Sequence, residues 1–215
     1  MKRNKQIKAI IFDVGGVLAL GENSTKIGRK FCPSGVHEDI AKKLGISIDQ
    51  YLDAIDKNYA LAIEGKISRK KVLQIFSKNL NAPKKKLIRL YLSSYRKHFV
   101  QNKPLFKQAF KLKKQGYKIA VLSDQWYLSQ DALMSKQTYN KFDIVFVSCE
   151  QGMRKPNPIF YKLLLRKLKI SSSESLFIDN QLWNIKPAKK LGLNTILFKD
   201  NKTLFKNKLW SNLFS

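Results

Sequence analysis

At 215 residues the chain is long enough to bury a sizeable core as one domain, or as a domain with an added lobe. Lys and Arg number 42 against 15 Asp and Glu, a net charge of +27 that attracts anions without specifying one. Two distant cysteines (Cys32, Cys149) and two isolated histidines (His37, His98) argue against a disulfide framework or a zinc site, and no apolar run reaches membrane-span length.

The first element is a strand that opens the stretch Ile10-Ile-Phe-Asp-Val-Gly-Gly-Val-Leu18. Its apolar, β-branched start reads as a buried parallel strand, and it ends in Asp13 beside the tight turn Gly15-Gly16. Ligands in open α/β sheets sit at the carboxyl ends of strands, which is where Asp13 falls. The basic Met1–Lys5 ahead of this stretch mimics a signal peptide, but Asp13 interrupts it and the strand uses every apolar residue.

Helices follow. Ser34 is placed to cap a helix that stops at Gly45. Ser47 to Ile63 carries Ile48, Leu52, Ile55, Tyr59 and Ala62 on one face, and Ser68 opens a third helix with Val72, Ile75 and Phe76. Pro83 suits the first turn of a fourth, with Leu87, Leu90, Tyr91, Ser94, Tyr95 and His98. No strand signal appears over residues 21–100. From Gly65 to Ser123 there is no acidic residue, and Lys66, Lys84, Lys85, Lys86, Arg96 and Lys97 fall inside that stretch. These cations read as a solvated surface able to steer anions and to bind nucleic acid only weakly and non-specifically.

Alternation then begins: helix 104–115, strand 117–122, helix 126–135, strand 143–148, helix 157–168, strand 175–179, helix 182–191, strand 194–198. Strands separated by helices imply a parallel sheet with right-handed crossovers. A short amphipathic tail helix over 201–213 completes the pattern. Three positions resemble Asp13 in setting. Ser123 ends the strand Ile119–Ser123, Lys155 sits in Gly152-Met-Arg-Lys-Pro-Asn-Pro158, and Asp179-Asn180 end the strand from Ser175.

Asp, Ser, Lys and a final acid in this order resemble the haloacid dehalogenase-like (HAD) hydrolases over almost the whole chain. The detail around these motifs, with Glu64-Gly-Lys-Ile-Ser68 between them, resembles the branch containing bacterial α-glucose-1-phosphatase and the N-terminal phosphatase domain of soluble epoxide hydrolase. The resemblance implies an α/β fold: a Rossmann-like three-layer parallel sheet with an inserted helical type-one cap. Residues 1–20 and 101–215 would form the core and 21–100 the cap. It implies a Mg²⁺-dependent phosphomonoesterase acting on a small phosphorylated metabolite, while the two distant cysteines, read as thiols, and the lack of a membrane-length apolar run point to the cytoplasm and to no membrane partner. Asp13 would be the nucleophile that forms an aspartyl-phosphate. Asp13, Asp179, Asn180 and the Gly15 carbonyl would hold the metal. Lys155, Ser123, Asp124 and the backbone N–H groups of Gly15 and Gly16 would meet the phosphate.

Three departures bear on activity. The second Asp common in these phosphatases, general acid and base, is replaced by Gly15, which implies slow turnover or a need for good leaving groups. Asn180 brings no charge to the metal, which implies weaker Mg²⁺ binding. Asp124 stands where an amide is frequent, adding an anion at the phosphate site or capping the helix near Trp126. A feeble or inactive protein that binds phosphate ligands or an anionic partner is the main alternative. A 2-haloacid dehalogenase is less favoured, because Gly15 neither shapes nor dries a halide pocket.

Overall fold

Unbroken apolar character places β1 (Ala9–Phe12) at the centre of the sheet, where both faces are covered. A computed structural model describes residues 6–21, 25–27, 30–32 and 35–214, without the side chains of 25–27 and 30–32. The basic stretch Met1–Lys5, the Ser34 cap and the Cys32 side chain lie outside those residues.

After β1 come three short strands, β2 (Ala19–Gly21), β3 (Thr25–Ile27) and β4 (Lys30–Cys32). Helices α1 (Val36–Leu44), α2 (Ile48–Ile63), α3 (Arg69–Asn79) and α4 (Lys84–His98) follow, then β5 (Phe99–Gln101) and α5 (Lys103–Lys114). The remainder alternates: β6 (Lys118–Ser123), α6 (Tyr127–Leu133), α7 (Lys136–Tyr139), β7 (Ile144–Val147), α8 (Ser148–Gln151), α9 (Pro158–Leu168), β8 (Ser175–Asp179), α10 (Leu182–Lys190) and β9 (Asn194–Leu197). Two short helices, α11 (Asn201–Lys206) and α12 (Lys208–Ser211), end the described chain.

The main sheet runs β7-β6-β1-β8-β9, all parallel. Phe12 lies level with Val121 of β6 and Ile178 of β8, so Asp13, Ser123 and Asp179 leave the sheet at the same edge. The two-residue strand period sorts the side chains by face. Ile10, Phe12, Val121 and Ile178 join one core with α5 and the tail, while Ile11, Ala120, Leu122 and Phe177 join the other with α9 and α10. This is a Rossmann-like α/β architecture.

Local chemistry accounts for the helix ends. Ser47 and Gln50 form a reciprocal capping box before α2, and Ser68 caps α3 through Lys71 N–H. Gly45 closes α1 in the left-handed conformation.

Four expectations need correction. The stretch 21–100 is not free of strands: β3 pairs with β4, and β2, ending at Gly21, pairs antiparallel with β5, which begins at Phe99. Three-residue strands are too short to show an alternating pattern. Pro83 stands at the cap position before α4 rather than inside it. The expected helix 126–135 divides because Met134 is extended and Ser135 caps α7 through Thr138 N–H. The tail divides for the same reason at Asn207, whose side chain accepts Leu209 N–H.

Candidate active site

The sheet edge delivers three side chains to one place, and the loop after α8 delivers a fourth. Asp13 Oδ1 accepts hydrogen bonds from Ser123 Oγ at 2.6 Å and from Val14 N–H at 2.7 Å. Lys155 Nζ lies 3.1 Å from the same oxygen and 2.7 Å from Asp179 Oδ2. The lysine is 3 % exposed and Asp179 is fully buried, so this is an ion triad removed from water. Asp179 is fixed from its other side. Gln181 N–H donates to Oδ1 at 2.7 Å, and Asn184 Nδ2 reaches both oxygens at 3.1 and 3.3 Å.

The loop that carries Lys155 is itself held. Lys155 N–H donates to Asp124 Oδ1 at 3.0 Å, and the Lys155–Pro156 peptide is cis. Asp124 therefore anchors the lysine loop, and Trp126 opens α6 without a side-chain cap, so the capping role considered for Asp124 is not present. Three carboxylates face one buried ammonium. Burial pushes Asp13 up to about 7, against the attraction of Lys155 and with repulsion from Asp179. Burial likewise raises Asp124 to about 6. Burial opposes the charge on Lys155, but Asp13, Asp179 and Asp124 hold its ammonium well above the usual range.

The paired glycines differ. Gly16 has φ +81°, and a Cβ there would meet Asn180 Nδ2 at 2.2 Å, so only glycine lets the Asp13 loop close on Asn180. A Cβ at Gly15 meets nothing within 4 Å. Of the expected amide donors, Gly16 N–H is committed to the Ala19 carbonyl at 2.8 Å.

These groups open onto a cavity of about 370 Å³. Its polar floor is Asp13, Gly15, Gly16, Asp124, Lys155 and Asn180. Five aromatic side chains line it as well: Tyr59 and Tyr95 from α2 and α4, Phe99, Trp126 and Trp183. Tyr59 and Tyr95 hydroxyls are 2.9 Å apart, and Trp126 Nε1–H donates to Tyr95 at 3.1 Å. Helical elements from 36–98 dock on the floor. A Cβ at Gly65 would meet the Cys149 carbonyl oxygen at 2.5 Å, Arg154 Nε lies 3.4 Å from Glu64, and Tyr127 donates to the Ile67 carbonyl at 2.9 Å.

Of the residues singled out in sequence, Asp13, Ser123, Lys155 and Asp179 meet in one bonded network. Gly15, Gly16, Asp124 and Asn180 line the cavity. Ser123 bonds to Asp13 but does not itself line the cavity. Sequence reasoning missed Asn184, Gln125 and the aromatic wall. Gln125 donates to Ser123 Oγ at 3.2 Å and accepts from Tyr139 OH at 3.1 Å. Asn184 carried a faint signal, a second amide four residues beyond Asn180, in the first turn of α10. Among the described residues no three His, Cys, Asp or Glu side chains gather as a metal site, and no helix is long and apolar enough to cross a membrane.

A sheet of this order with this edge defines a class, and comparison with known proteins supplies the family. The chain belongs to the haloacid dehalogenase-like hydrolases, whose pattern matches residues 7–192. It is 28 % identical over 222 residues to bifunctional epoxide hydrolase 2 of Sus scrofa, covering 92 % of this chain and 37 % of that protein. The chain thus spans little more than a third of that relative's length. A glyceraldehyde 3-phosphate phosphatase of Pyrococcus furiosus is 28 % identical over 98 residues, covering 45 % of this chain and 41 % of its own length. Among solved structures, a HAD family enzyme of Bacteroides thetaiotaomicron in complex with magnesium and inorganic phosphate superposes with a TM-score of 0.71 at 21 % identity. That match covers 93 % of this chain and all of that one. The last comparison concerns fold alone.

Proposed function

We propose that this hydrolase is a Mg²⁺-dependent phosphomonoesterase acting on a small phosphorylated metabolite through an aspartyl-phosphate at Asp13. The observation that carries the reading is the Asp13 carboxylate, held by Ser123 and Lys155 on the floor of a cavity at the sheet edge. One oxygen, Oδ1, takes Val14 N–H, Ser123 Oγ and Lys155 Nζ, which leaves Oδ2 for attack on phosphorus. Lys155 balances the charge where two anions must meet, and Gly15 N–H would donate to a phosphate oxygen. Helices 36–98 serve as the cap that shuts water out of the cavity.

The donor set fits Mg²⁺. Three carboxylates against one lysine leave surplus negative charge, and Asn180 Oδ1 is buried without a hydrogen-bond partner. Asp13, Asp179, Asn180 and the Gly15 carbonyl would hold the ion, a small oxygen set of the kind Mg²⁺ accepts while keeping several waters. When bound, the ion would offset the charge of the phosphate and of the surplus carboxylate. The phosphatase relative and the magnesium and phosphate complex of the structural neighbour support this reading.

The test is phosphate release from p-nitrophenyl phosphate with and without Mg²⁺. Activity should vanish with EDTA and in Asp13→Asn. Hydrolysis that survives both would overturn the reading.

A further inference from the structure

Resting on the phosphatase reading, we infer that Asp124 is the general acid and base of this site, in place of the carboxylate that Gly15 lacks. An enzyme that cleaves a phosphate ester of a poor leaving group needs a proton for the departing oxygen, and later a base for water. Gly15 supplies neither. Among the cavity-lining side chains few can trade a proton near neutrality. Asp13 is spent as the nucleophile, Lys155 is held charged by three carboxylates, and tyrosine phenols titrate near 10 when unperturbed. His37 and His98 do not line the cavity.

Asp124 does line it, one residue beyond Ser123, whose hydroxyl touches Asp13. Its two oxygens have different tasks. Oδ1 accepts Lys155 N–H, a bond that an amide at this position would make equally well. Oδ2 makes no hydrogen bond to a described residue. Here an acid differs from an amide, because Oδ2 can carry a proton. Lys155, Arg154 and Asp179 face this carboxyl, and Asp13 shares its cavity. Burial, opposed by Lys155 and Arg154, raises its affinity for a proton to about 6, within the range a general acid uses at neutral pH.

The steps balance. As Asp13 attacks phosphorus, the bond from phosphorus to the leaving oxygen breaks and that oxygen takes the Asp124 proton. Water then attacks phosphorus, the bond to Asp13 breaks, and the Asp124 carboxylate takes the proton of the water. Inorganic phosphate leaves, and both carboxyl groups are restored to their starting forms.

Asp124→Asn is the decisive variant, because it keeps the size and the acceptor for Lys155 N–H and removes the titrating carboxyl. With Mg²⁺ present, kcat/KM for an alkyl phosphate should fall about 10²–10⁴-fold. For p-nitrophenyl phosphate, whose leaving group needs no proton, kcat/KM should stay within a few-fold. A burst of p-nitrophenol should appear as the second step slows. Gly15→Asp added to Asp124→Asn should recover alkyl phosphate hydrolysis, since a side chain at 15 meets nothing within 4 Å. Unchanged kinetics in Asp124→Asn, or equal losses for both substrates, would overturn the assignment, equal losses marking a residue that merely positions Lys155. If the native protein hydrolyses neither substrate with Mg²⁺, the phosphatase reading fails and this assignment falls with it. If the native protein is active and Asp124→Asn matches it, the assignment alone fails.

Discussion

Two clusters of buried polar groups, one at the sheet edge and one among the helices, are treated differently. At the sheet edge, Asp13, Asp179 and Lys155 are sequestered as ions, with Asp124 beside them. Among the helices, His37 is fully buried with its Nδ1 3.0 Å from Tyr51 OH, and Tyr51 bonds in turn to Tyr91. Burial drives the His37 imidazole down to about 3, so the ring is neutral. The same desolvation cost is thus met in opposite ways. The helical cluster gives up its charge and becomes packing material, with ring contacts to Tyr59 and Tyr91. The sheet-edge cluster keeps its charge and keeps it unbalanced. Surplus charge held away from water is stabilised only by something arriving, a cation or a proton, and that separates a working site from a structural one.

Breaking the sheet-edge balance should have the largest effect. Lys155→Met leaves Asp13 and Asp179 buried without their cation. Loss of one partner of a buried pair costs about 3–5 kcal/mol. Urea unfolding should show a loss of that size, with phosphate release abolished. A loss under about 1 kcal/mol would mean that the triad is not held as ions.

The neutral cluster predicts a smaller, pH-dependent effect. The His37 proton affinity in the folded state lies below its unfolded value near 6.5. The unfolded chain therefore takes up a proton first as pH falls. Stability from this group is full above 6.5 and declines towards pH 3, by about 1.4 kcal/mol per pH unit. Asp13, raised to about 7, works in the opposite direction between pH 7 and its unfolded value near 3.8. The informative quantity is thus the difference between native protein and His37→Gln. Between pH 6.5 and 5 the native protein should lose about 2 kcal/mol more than the variant. Parallel curves would show that the ring takes up its proton as readily in the folded as in the unfolded chain, and the contrast between the two clusters would be lost.

The smallest effect concerns the cationic surface. Lys84, Lys85 and Lys86 are exposed at the N-terminal end of α4, where positive charge opposes the helix dipole. Replacing all three with Gln should raise the melting temperature slightly. If their field steers anions to the cavity, kcat/KM for a multiply charged phosphate should fall at low salt. That loss should fade as the screening length shortens to about 8 Å near physiological ionic strength. Salt-independent kinetics would assign these lysines to the surface alone.

Much of the sheet edge was legible in the chain. Strands β1, β6 and β8 are apolar runs that each end in a polar residue, so Asp13, Ser123 and Asp179 announce their place by position along the sequence. Lys155 was legible through its Pro-flanked turn. Groups that matter through convergence were not. Asn184 reaches Asp179 only because α10 folds back on β8, and Tyr59, Tyr95 and Trp126 meet only when α2, α4 and the loop after β6 close on one another. Linear order carries no trace of those distances. The bond that Asp124 makes to the lysine loop was hidden for the same reason, since its partner Lys155 lies far along the chain. Strands β3 and β4 are too short for a period to show.

The central claim is that the unbalanced cluster exists to place a nucleophile at Asp13. The direct measurement is an acid quench during a single turnover with Mg²⁺ and p-nitrophenyl phosphate, followed by mass mapping of the peptides. The account predicts phosphate bound covalently to the peptide containing Asp13, and none in Asp13→Asn. Turnover by the native protein with no covalent phosphate at Asp13, retained in Asp13→Asn, would contradict it.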